Sequence, residues 1–422
     1  MKVGIIGSGG REHALCYAVK KSKKVNKIYC FPGNAGTHNI AENVDLDISD
    51  FEALNEFINK KNIDIIIVGP EKPLVDGIVD FLKKNKIKVF GPNQTASKLE
   101  GSKIFTKNLC KEFDIPTANF GVFNNVDESI DFLNKSKFPL VVKADGLAAG
   151  KGVYICENKN DGENAVKEIF DGKFGKTSEL LIEEFLTGEE MSFFIISDGV
   201  NIKQFGTAQD HKRVGEGDVG LNTGGMGAYS PSRLENDKLN KKILDKIILP
   251  TLKGLRENYK TNFLGFLYAG LMIKEGEPYL IEYNVRMGDP ECQTILPRLE
   301  TNLIDIIEAT IDQKLDKINL SWSNEKSLSI VQCSKGYPGP YENNQEIKNL
   351  DKINLKMNEY IFHAGTKIDN SKIFSNGGRV LNFVGKSNSF KESREIIFSL
   401  INKIDWRKGF YRKDIGHKVI DI

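Results

Sequence analysis

Lys2-Val-Gly-Ile-Ile-Gly7, followed at once by Ser8-Gly-Gly-Arg-Glu-His-Ala-Leu15, decides the fold of the first hundred residues. The apolar run is short and ends in glycines, so it reads as a buried strand turned sharply into a helix over Arg11–Lys21. The pattern then recurs. Lys27–Phe31 and Ile63–Val68 are further strands and Lys88–Phe90 starts a fourth, with helices over Phe51–Lys60 and Leu74–Lys84 between them. Short apolar runs alternating with amphipathic helices imply a parallel sheet covered on both faces. Each strand ends in a Gly- or Pro-containing loop: Gly7–Gly10, Pro32–Gly36, Gly69–Pro73 and Gly91–Pro92. Ligands bind beyond the carboxyl ends of such strands, so these loops are expected to line one crevice.

The 422 residues exceed one ordinary core and predict roughly two to four domains. A net charge of +2, from 59 basic and 57 acidic residues, is too even for a nucleic-acid or membrane surface. The six cysteines form no CxxC pair and sit mostly among apolar residues, which fits a reducing compartment rather than a disulfide framework or a zinc site. The N-terminus lacks the pattern of a signal peptide, and no apolar run reaches the ~18 residues of a membrane span.

From Ser102 the character changes to mixed α+β. A helix over Ile104–Phe113 leads to strands at Phe138–Lys143 and Val153–Cys156, a helix around Ala165–Phe170 and a strand at Leu180–Glu184. Ser192–Ser197 and Ile202–Phe205 form a hairpin around Asp198-Gly199. A long irregular loop is expected from Gly206 to Pro231, because it holds six glycines between Gly215 and Gly227. A helix over Leu239–Leu255, kinked at Pro250, precedes strands Tyr268–Lys274 and Tyr279–Asn284. After a helix near Leu303–Ile311, Trp322–Glu325 reads as a linker. Strands at Leu328–Cys333, Ile361–Thr366 and Val380–Val384 and a helix near Glu392–Ile401 complete the chain.

Side chains two apart on a strand share a face, so Glu282, Asn284 and Arg286 project together. Carboxylate and amide oxygens suit Mg²⁺ or Mn²⁺, and the guanidinium suits an anion. Alone, three such residues describe a polar strand face. The acidic turn Gly288-Asp-Pro-Glu291 behind them is unlike a routine strand end and favours a metal site. Lys143-Ala-Asp-Gly-Leu-Ala-Ala-Gly-Lys-Gly-Val153 can cradle phosphate with Gly146, Gly150 and Gly152 while Lys143 and Lys151 add charge. It is not a Walker A loop, since Asp145 and Gly152 break that pattern. Glu183 and Glu184 end a strand on opposite faces; the stretch through Phe185 and Leu186 could meet a purine edge, with Glu190 on a ribose. Gly7–His13 matches a dinucleotide-binding turn only in part, because Glu12 stands in the third glycine position and no acid follows Phe31-Pro32. A phosphorylated small molecule at the helix N-terminus fits better than NAD. No GxSxG occurs, and the five histidines show no HxxxH or HExxH spacing.

These residues together resemble the phosphoribosylamine–glycine ligase (glycinamide ribonucleotide synthetase) family of the ATP-grasp superfamily. The resemblance runs from end to end. It is carried by GSGGREHAL (Gly7–Leu15), PGNAGT (Pro32–Thr37), VGPEKPLVDG (Val68–Gly77), LEGSKIFTK (Leu99–Lys107), VVKADGLAAGKGV (Val141–Val153), EEFLTGEEMSF (Glu183–Phe193), AQDHKRVGEGDVGLNTGGMGAYSP (Ala208–Pro231), GFLYAGLM (Gly265–Met272), IEYNVRMGDPE (Ile281–Glu291), FHAGT (Phe362–Thr366), NGGRVL (Asn376–Leu381) and RKDIGH (Arg412–His417).

The resemblance implies a multidomain α/β and α+β chain. Its parts would be a parallel α/β domain over 1–101, an ATP-grasp domain over 102–320 with a lid subdomain about 117–190, and a mixed α+β domain over 326–422. It implies ligation of glycine to 5-phosphoribosylamine at the expense of ATP, in the cytoplasm, by a monomer or weak homodimer. Glu282 and Asn284 would bind the Mg²⁺ or Mn²⁺. Lys103, Lys143, Gly150, Lys151 and Gly152 would contact the ATP phosphates, while Glu183, Glu184, Phe185, Leu186 and Glu190 would hold adenosine. Gly9, Gly10, Arg11, Glu12, Asn34, Gly36, Thr37, Pro70 and Glu71 would take the phosphoribosyl group. Asp210, Lys212, Gly225, Arg286, Gly288 and Asp289 would lie near glycine and its acyl phosphate, with Arg286, Asp210 and Lys143 as catalytic residues. Many ATP-grasp enzymes carry another metal-binding acid on the preceding strand, but Tyr268-Ala-Gly-Leu-Met-Ile273 offers none. Another carboxylate–amine ligase or a carboxylase is the alternative on the same fold.

Overall fold

The computed structural model describes residues 1–147, 152–175 and 177–420. Strands β1 (Lys2–Gly7), β2 (Lys27–Pro32), β3 (Glu42–Asn43), β4 (Ile65–Val68) and β5 (Lys88–Phe90) form a parallel sheet in the order β3-β2-β1-β4-β5. β1 lies at its centre, and Val3, Ile5 and Ile6 are fully buried. Helices α1 (Gly10–Lys20), α2 (Phe51–Lys61), α3 (Glu71–Asp76) and α4 (Ile78–Lys84) cover it. The single helix expected over Leu74–Lys84 is two. Gly77 stands between them at φ +93°, and its N–H caps the carbonyls of Pro73 and Leu74, a left-handed stop that only glycine takes easily.

Helices α5 (Gln94–Gly101) and α6 (Lys103–Glu112) follow; α5 was not anticipated. Ser102 ends one and caps the other, its hydroxyl accepting the Phe105 N–H. β6 (Phe120–Phe123), α7 (Val126–Lys135), β7 (Leu140–Ala144), β8 (Val153–Cys156), α8 (Lys159–Phe170) and β9 (Leu180–Glu184) form a separate layer: an antiparallel sheet ordered β6-β9-β7-β8 under two helices.

β10 (Glu189–Asp198) and β11 (Ile202–Asp210) make the expected hairpin. The irregular loop expected after Gly206 is instead mostly strand. β11 continues to Asp210, β12 (Arg213–Gly215) pairs with β13 (Val219–Asn222), and β14 (Gly227–Ser230) pairs with β11. Glycine content misled because one of these glycines serves strand packing: a Cβ on Gly227 would lie 2.4 Å from the Ser329 carbonyl oxygen. Next come α9 (Asp237–Ile243), a π-helical turn at Leu244–Ile248 and α10 (Leu249–Tyr259). The helix widens just before Pro250 rather than breaking at it, which accommodates the missing N–H and the ring.

β15 (Leu264–Lys274) and β16 (Glu277–Asn284) form the second long hairpin, followed by α11 (Glu291–Ile295) and α12 (Leu303–Ile311). The C-terminal unit holds β17 (Lys326–Ser334), β18 (Glu359–His363), the hairpin β19 (Thr366–Asp369) and β20 (Lys372–Ser375), β21 (Arg379–Ser387), α13 (Phe390–Ile401) and β22 (Gly409–Phe410). It is not a separate bead. β14 pairs with β17, so one nine-stranded sheet runs β16-β15-β10-β11-β14-β17-β21-β18, with β22 on β17. Two of the four strand-end loops of the parallel sheet meet the segment just after β16, Gly9 lying against Asp289 and Glu71 accepting from Arg286, while the Pro32–Gly36 loop meets His363. In the fourth, Gly91 and Pro92 pack against Gly265 at the start of β15.

Candidate active site

On β16, Glu282 lies opposite Gly270 and Asn284 opposite Tyr268 of β15. Buried Tyr283 and Val285 alternate with the partly exposed Glu282, Asn284 and Arg286, which therefore share a face. Gly270 leaves room there, since a Cβ on it would stand 3.3 Å from the Glu282 Cγ. Among the described residues no cluster of three His, Cys, Asp or Glu side chains could hold a metal alone. Glu282 and Asn284 thus offer two oxygen ligands and leave the other positions to water and phosphate, which suits a hard divalent ion.

Cations surround this pair. Lys103, at the first turn of α6, donates to the Gly146 carbonyl at 2.8 Å; burial lowers its pKa against the pull of Glu282. Asp145 fixes the same junction by accepting from the Ser102 hydroxyl at 3.0 Å and the Ile104 N–H at 3.1 Å. Lys143, on β7, pairs with Glu183 of β9, which also binds Lys107 at 2.7 Å. All three side chains are buried. Burial alone would raise the Glu183 carboxyl, but the two lysines outweigh it and hold it below its ordinary value. Glu183 therefore anchors the lysines with both carboxylate oxygens. Glu184 points the other way and accepts from the Asn119 N–H and side-chain amide at 3.1 and 3.0 Å. Phe185 and Leu186 follow at the surface, and half-exposed Glu190 pairs with Lys212 at 2.8 Å. The Gly152 carbonyl accepts the Ala144 N–H at 2.9 Å, while Gly150 and Lys151 lie outside the described residues.

The loops of the parallel sheet meet at Glu12. Its carboxylate accepts the Gly9 N–H at 2.6 Å and the Arg11 Nε–H at 2.6 Å, and a Cβ on Gly69 would sit 2.1 Å from it. Asn34 accepts the N–H groups of Gly36 and Thr37 at 2.8 and 3.0 Å and donates to the carbonyls of Ser8 and His363 at 2.8 Å each. Gly10 begins α1, and the N–H groups on either side of it already meet carboxylates, Gly9 donating to Glu12 and Arg11 to Asp289. Pro70 caps α3, whose first residue is Glu71.

Arg286 joins these loops to the end of β16. It donates to Glu71 at 3.2 Å, to Glu100 at 2.7 Å and to the Met287 carbonyl at 3.2 Å. Arg11 reaches the same carbonyl at 3.3 Å and lies 3.9 Å from Glu71. Burial raises the Glu71 carboxyl, but Arg286 and Arg11 outweigh it and hold it at about 2. Glu100 behaves oppositely: burial pushes it up to about 7 against the pull of Arg286.

Asp210 ends β11 with a buried Oδ1 that has no hydrogen-bond partner among the described residues. Burial and the neighbouring Glu291 push its carboxyl well above the usual range, opposed by Lys212 and Arg379. Gly225 and Gly288 make the space: a Cβ on Gly225 would stand 2.7 Å from Asp210 Oδ1, and one on Gly288 would stand 2.3 Å from Glu291 Oε2. Asp289 accepts from Gln293 at 2.7 Å and from the Arg11 N–H at 3.4 Å. Glu100, Lys107 and Arg379 were not singled out from the sequence, and Glu291 only as the end of an acidic turn. Lys107 carried a signal, since it lies one turn from Lys103 on the same face of α6. The others become visible only through partners far away in the chain.

A separate four-stranded layer with buried lysines, beside a Glu-x-Asn strand of a larger sheet, defines an ATP-grasp enzyme. The chain belongs to the phosphoribosylglycinamide synthetase family: the family's N domain matches residues 1–100, its ATP-grasp (A) domain 101–292 and its C domain 327–418. Phosphoribosylamine–glycine ligase from Brucella melitensis is 44% identical over 422 residues, covering 100% of this chain and 99% of that protein. The one from Mesorhizobium japonicum is 44% identical over 421 residues, with the same coverage. The crystal structure of phosphoribosylamine–glycine ligase from Thermotoga maritima superposes with a TM-score of 0.86 at 32% identity, over 99% of this chain and 100% of that one. The biotin carboxylase domain of 2-oxoglutarate carboxylase from Hydrogenobacter thermophilus shares the fold, with a TM-score of 0.72 at 16% identity, over 97% of this chain and 91% of that one.

Proposed function

We propose that this site joins glycine to 5-phosphoribosylamine with ATP, giving glycinamide ribonucleotide, ADP and phosphate in purine biosynthesis. The observation that carries this reading is Arg286. It links Glu71, on a loop expected to hold the phosphoribosyl group, to the strand that bears Glu282 and Asn284.

A glycine carboxylate oxygen attacks the γ-phosphorus of ATP; the new O–P bond forms as the bond to ADP breaks. The amine nitrogen of phosphoribosylamine then attacks the acyl carbon of glycyl phosphate. A C–N bond forms, phosphate leaves, and the amine gives up a proton. Glu282 and Asn284 would hold magnesium or manganese, which when bound would supply charge neutralisation for the phosphates. Lys143 and Lys103 offset the charge that spreads over the phosphoryl oxygens. The peptide groups of Glu184–Leu186 and Glu190 hold adenosine. The Gly9–Glu12, Asn34–Thr37 and Pro70–Glu71 loops hold the ribose phosphate, with Arg11 as its counter-charge. Asp210, Lys212 and Asp289 surround glycine, whose ammonium suits the unpartnered Asp210 carboxylate. Holding both reactants in one crevice accounts for most of the acceleration, and no covalent enzyme intermediate is needed. The units take up residues 1–101, 102–320 and 326–422, in a cytoplasmic monomer or weak homodimer.

Phosphate release measured with each substrate omitted in turn tests this. It should require ATP, glycine and phosphoribosylamine together. Release that ignores glycine would overturn the reading.

A further inference from the structure

The C-terminal unit reaches into the site through two side chains. Arg379, the first residue of β21, donates from one Nη to the Gly224 carbonyl at 2.5 Å and to the Asp289 carbonyl at 2.6 Å. The same nitrogen lies 3.3 Å from the Asp289 carboxylate. Tyr337 holds the other side of Gly224, its hydroxyl accepting the Gly224 N–H at 3.0 Å. Residue 224 must be glycine for this grip, since a Cβ there would stand 2.9 Å from the guanidinium carbon. The backbone behind the clamp is fixed: the Arg379 carbonyl accepts the Gly365 N–H at 3.0 Å, and Tyr337 fills the space beside Gly378.

The two gripped turns touch each other and Asp210. A Cβ on Gly225 would meet both Pro290 Cδ, at 2.5 Å, and Asp210 Oδ1, at 2.7 Å. Thr223 ties the first turn to the Lys212 carbonyl at 2.8 Å. Moving either turn therefore moves Asp210, Lys212 or Asp289.

We propose that Arg379, aided by Tyr337, is a positioning residue of the ligation site: it locks the Gly224–Gly225 turn onto the Asp289–Pro290 turn and so sets where Asp210 and Asp289 meet glycine. The inference rests on the reading that Asp210 and Asp289 surround glycine. It gives the C-terminal unit a part in the reaction although β17–β22 carry none of the metal or phosphate ligands. All three contacts leave one Nη, whose position is set by the rigid guanidinium plane, so lysine on its flexible stem is an incomplete substitute.

The test is steady-state kinetics of Arg379→Ala, Arg379→Lys and Tyr337→Phe on the full chain. Arg379→Ala should lower kcat/KM for glycine by about a hundredfold, while KM for ATP stays within about twofold. Guanidinium added at millimolar concentration should restore part of the loss in Arg379→Ala and nothing in Arg379→Lys, because the side chain is partly open to solvent. If Arg379→Ala does not fold, Arg379→Lys and Tyr337→Phe carry the test, each with a loss of about tenfold confined to glycine. Wild-type glycine kinetics in these variants, or a loss spread equally over all three substrates without rescue, overturns the clamp. Asp210→Asn and Asp289→Asn separate the two ideas. If they leave glycine kinetics unchanged, the glycine site is misassigned; if they are impaired while the Arg379 variants are not, only the clamp fails.

Discussion

Arg286 and Glu100 are joined by a 2.7 Å hydrogen bond, and the same carboxylate accepts the Val285 N–H at 2.8 Å. One buried side chain at the end of α5 therefore fixes both the backbone and the guanidinium just beyond β16. Glutamine cannot match this geometry, because its amide nitrogen would face a donor.

Glu100→Gln should accordingly lower kcat/KM by about tenfold. Its stability effect has a definite sign with pH. The Glu100 carboxyl is raised from 4.5 to about 7 in the folded protein, so the stability it contributes is complete below 4.5 and is lost as pH rises through 7. Relative to wild type, Glu100→Gln should be less destabilised at pH 8 than at pH 5. Urea unfolding at the two pH values measures this, and a difference of the opposite sign refutes it.

Glu183 bridges Lys107 and Lys143 in a buried site. Glu183→Gln leaves two facing ammonium groups with no counter-charge and should cost about 3–5 kcal/mol of stability at pH 7. The carboxyl sits below its ordinary 4.5, so its contribution is present above that value and fades as pH falls beneath it. The gap between variant and wild type should therefore narrow at acid pH. Denaturant titrations across that range decide the point.

Glu282 is partly exposed. Glu282→Ala should reduce turnover by about a thousandfold, several kcal/mol of barrier, while the melting midpoint moves by no more than about 2 °C. Near-normal ADP release from the purified variant would remove the metal assignment. Chelation of divalent ions should reproduce the loss in wild type and add nothing in the variant.

Gly225 has φ +113° and no room for a Cβ beside Asp210 and Pro290. Gly225→Ala should lose about 1–3 kcal/mol of stability and most glycine-dependent turnover. A variant with unchanged glycine KM and kcat would show that this turn does not shape the glycine site.

Much of this was legible in the chain. The apolar runs at Lys2–Gly7 and Ile63–Val68 declare buried parallel strands, since both faces need cover. Alternation along Tyr279–Arg286 places Glu282, Asn284 and Arg286 on one face. What escaped depends on distant partners. Gly227–Ser230 looks like loop by composition, yet it pairs with Ser327–Ile330, about a hundred residues on. Leu74–Lys84 has helical periodicity throughout, but Gly77 interrupts it. Glu183 reads as the solvent end of a strand, and only Lys107 and Lys143 show why a carboxylate can be buried there. Glu100 and Arg379 have no local pattern at all; their meaning comes from Arg286, Gly224 and Asp289.

The pairing of β14 with β17 has a consequence for cutting the chain. A piece ending before Lys326 would strip β14 of one neighbour and leave a row of unbonded peptide groups where the interior of a sheet used to be. Such an edge is sticky toward any other extended segment. The ATP-handling half is therefore not a detachable module, and a recombination event that kept it while discarding the remainder would yield a chain prone to self-association.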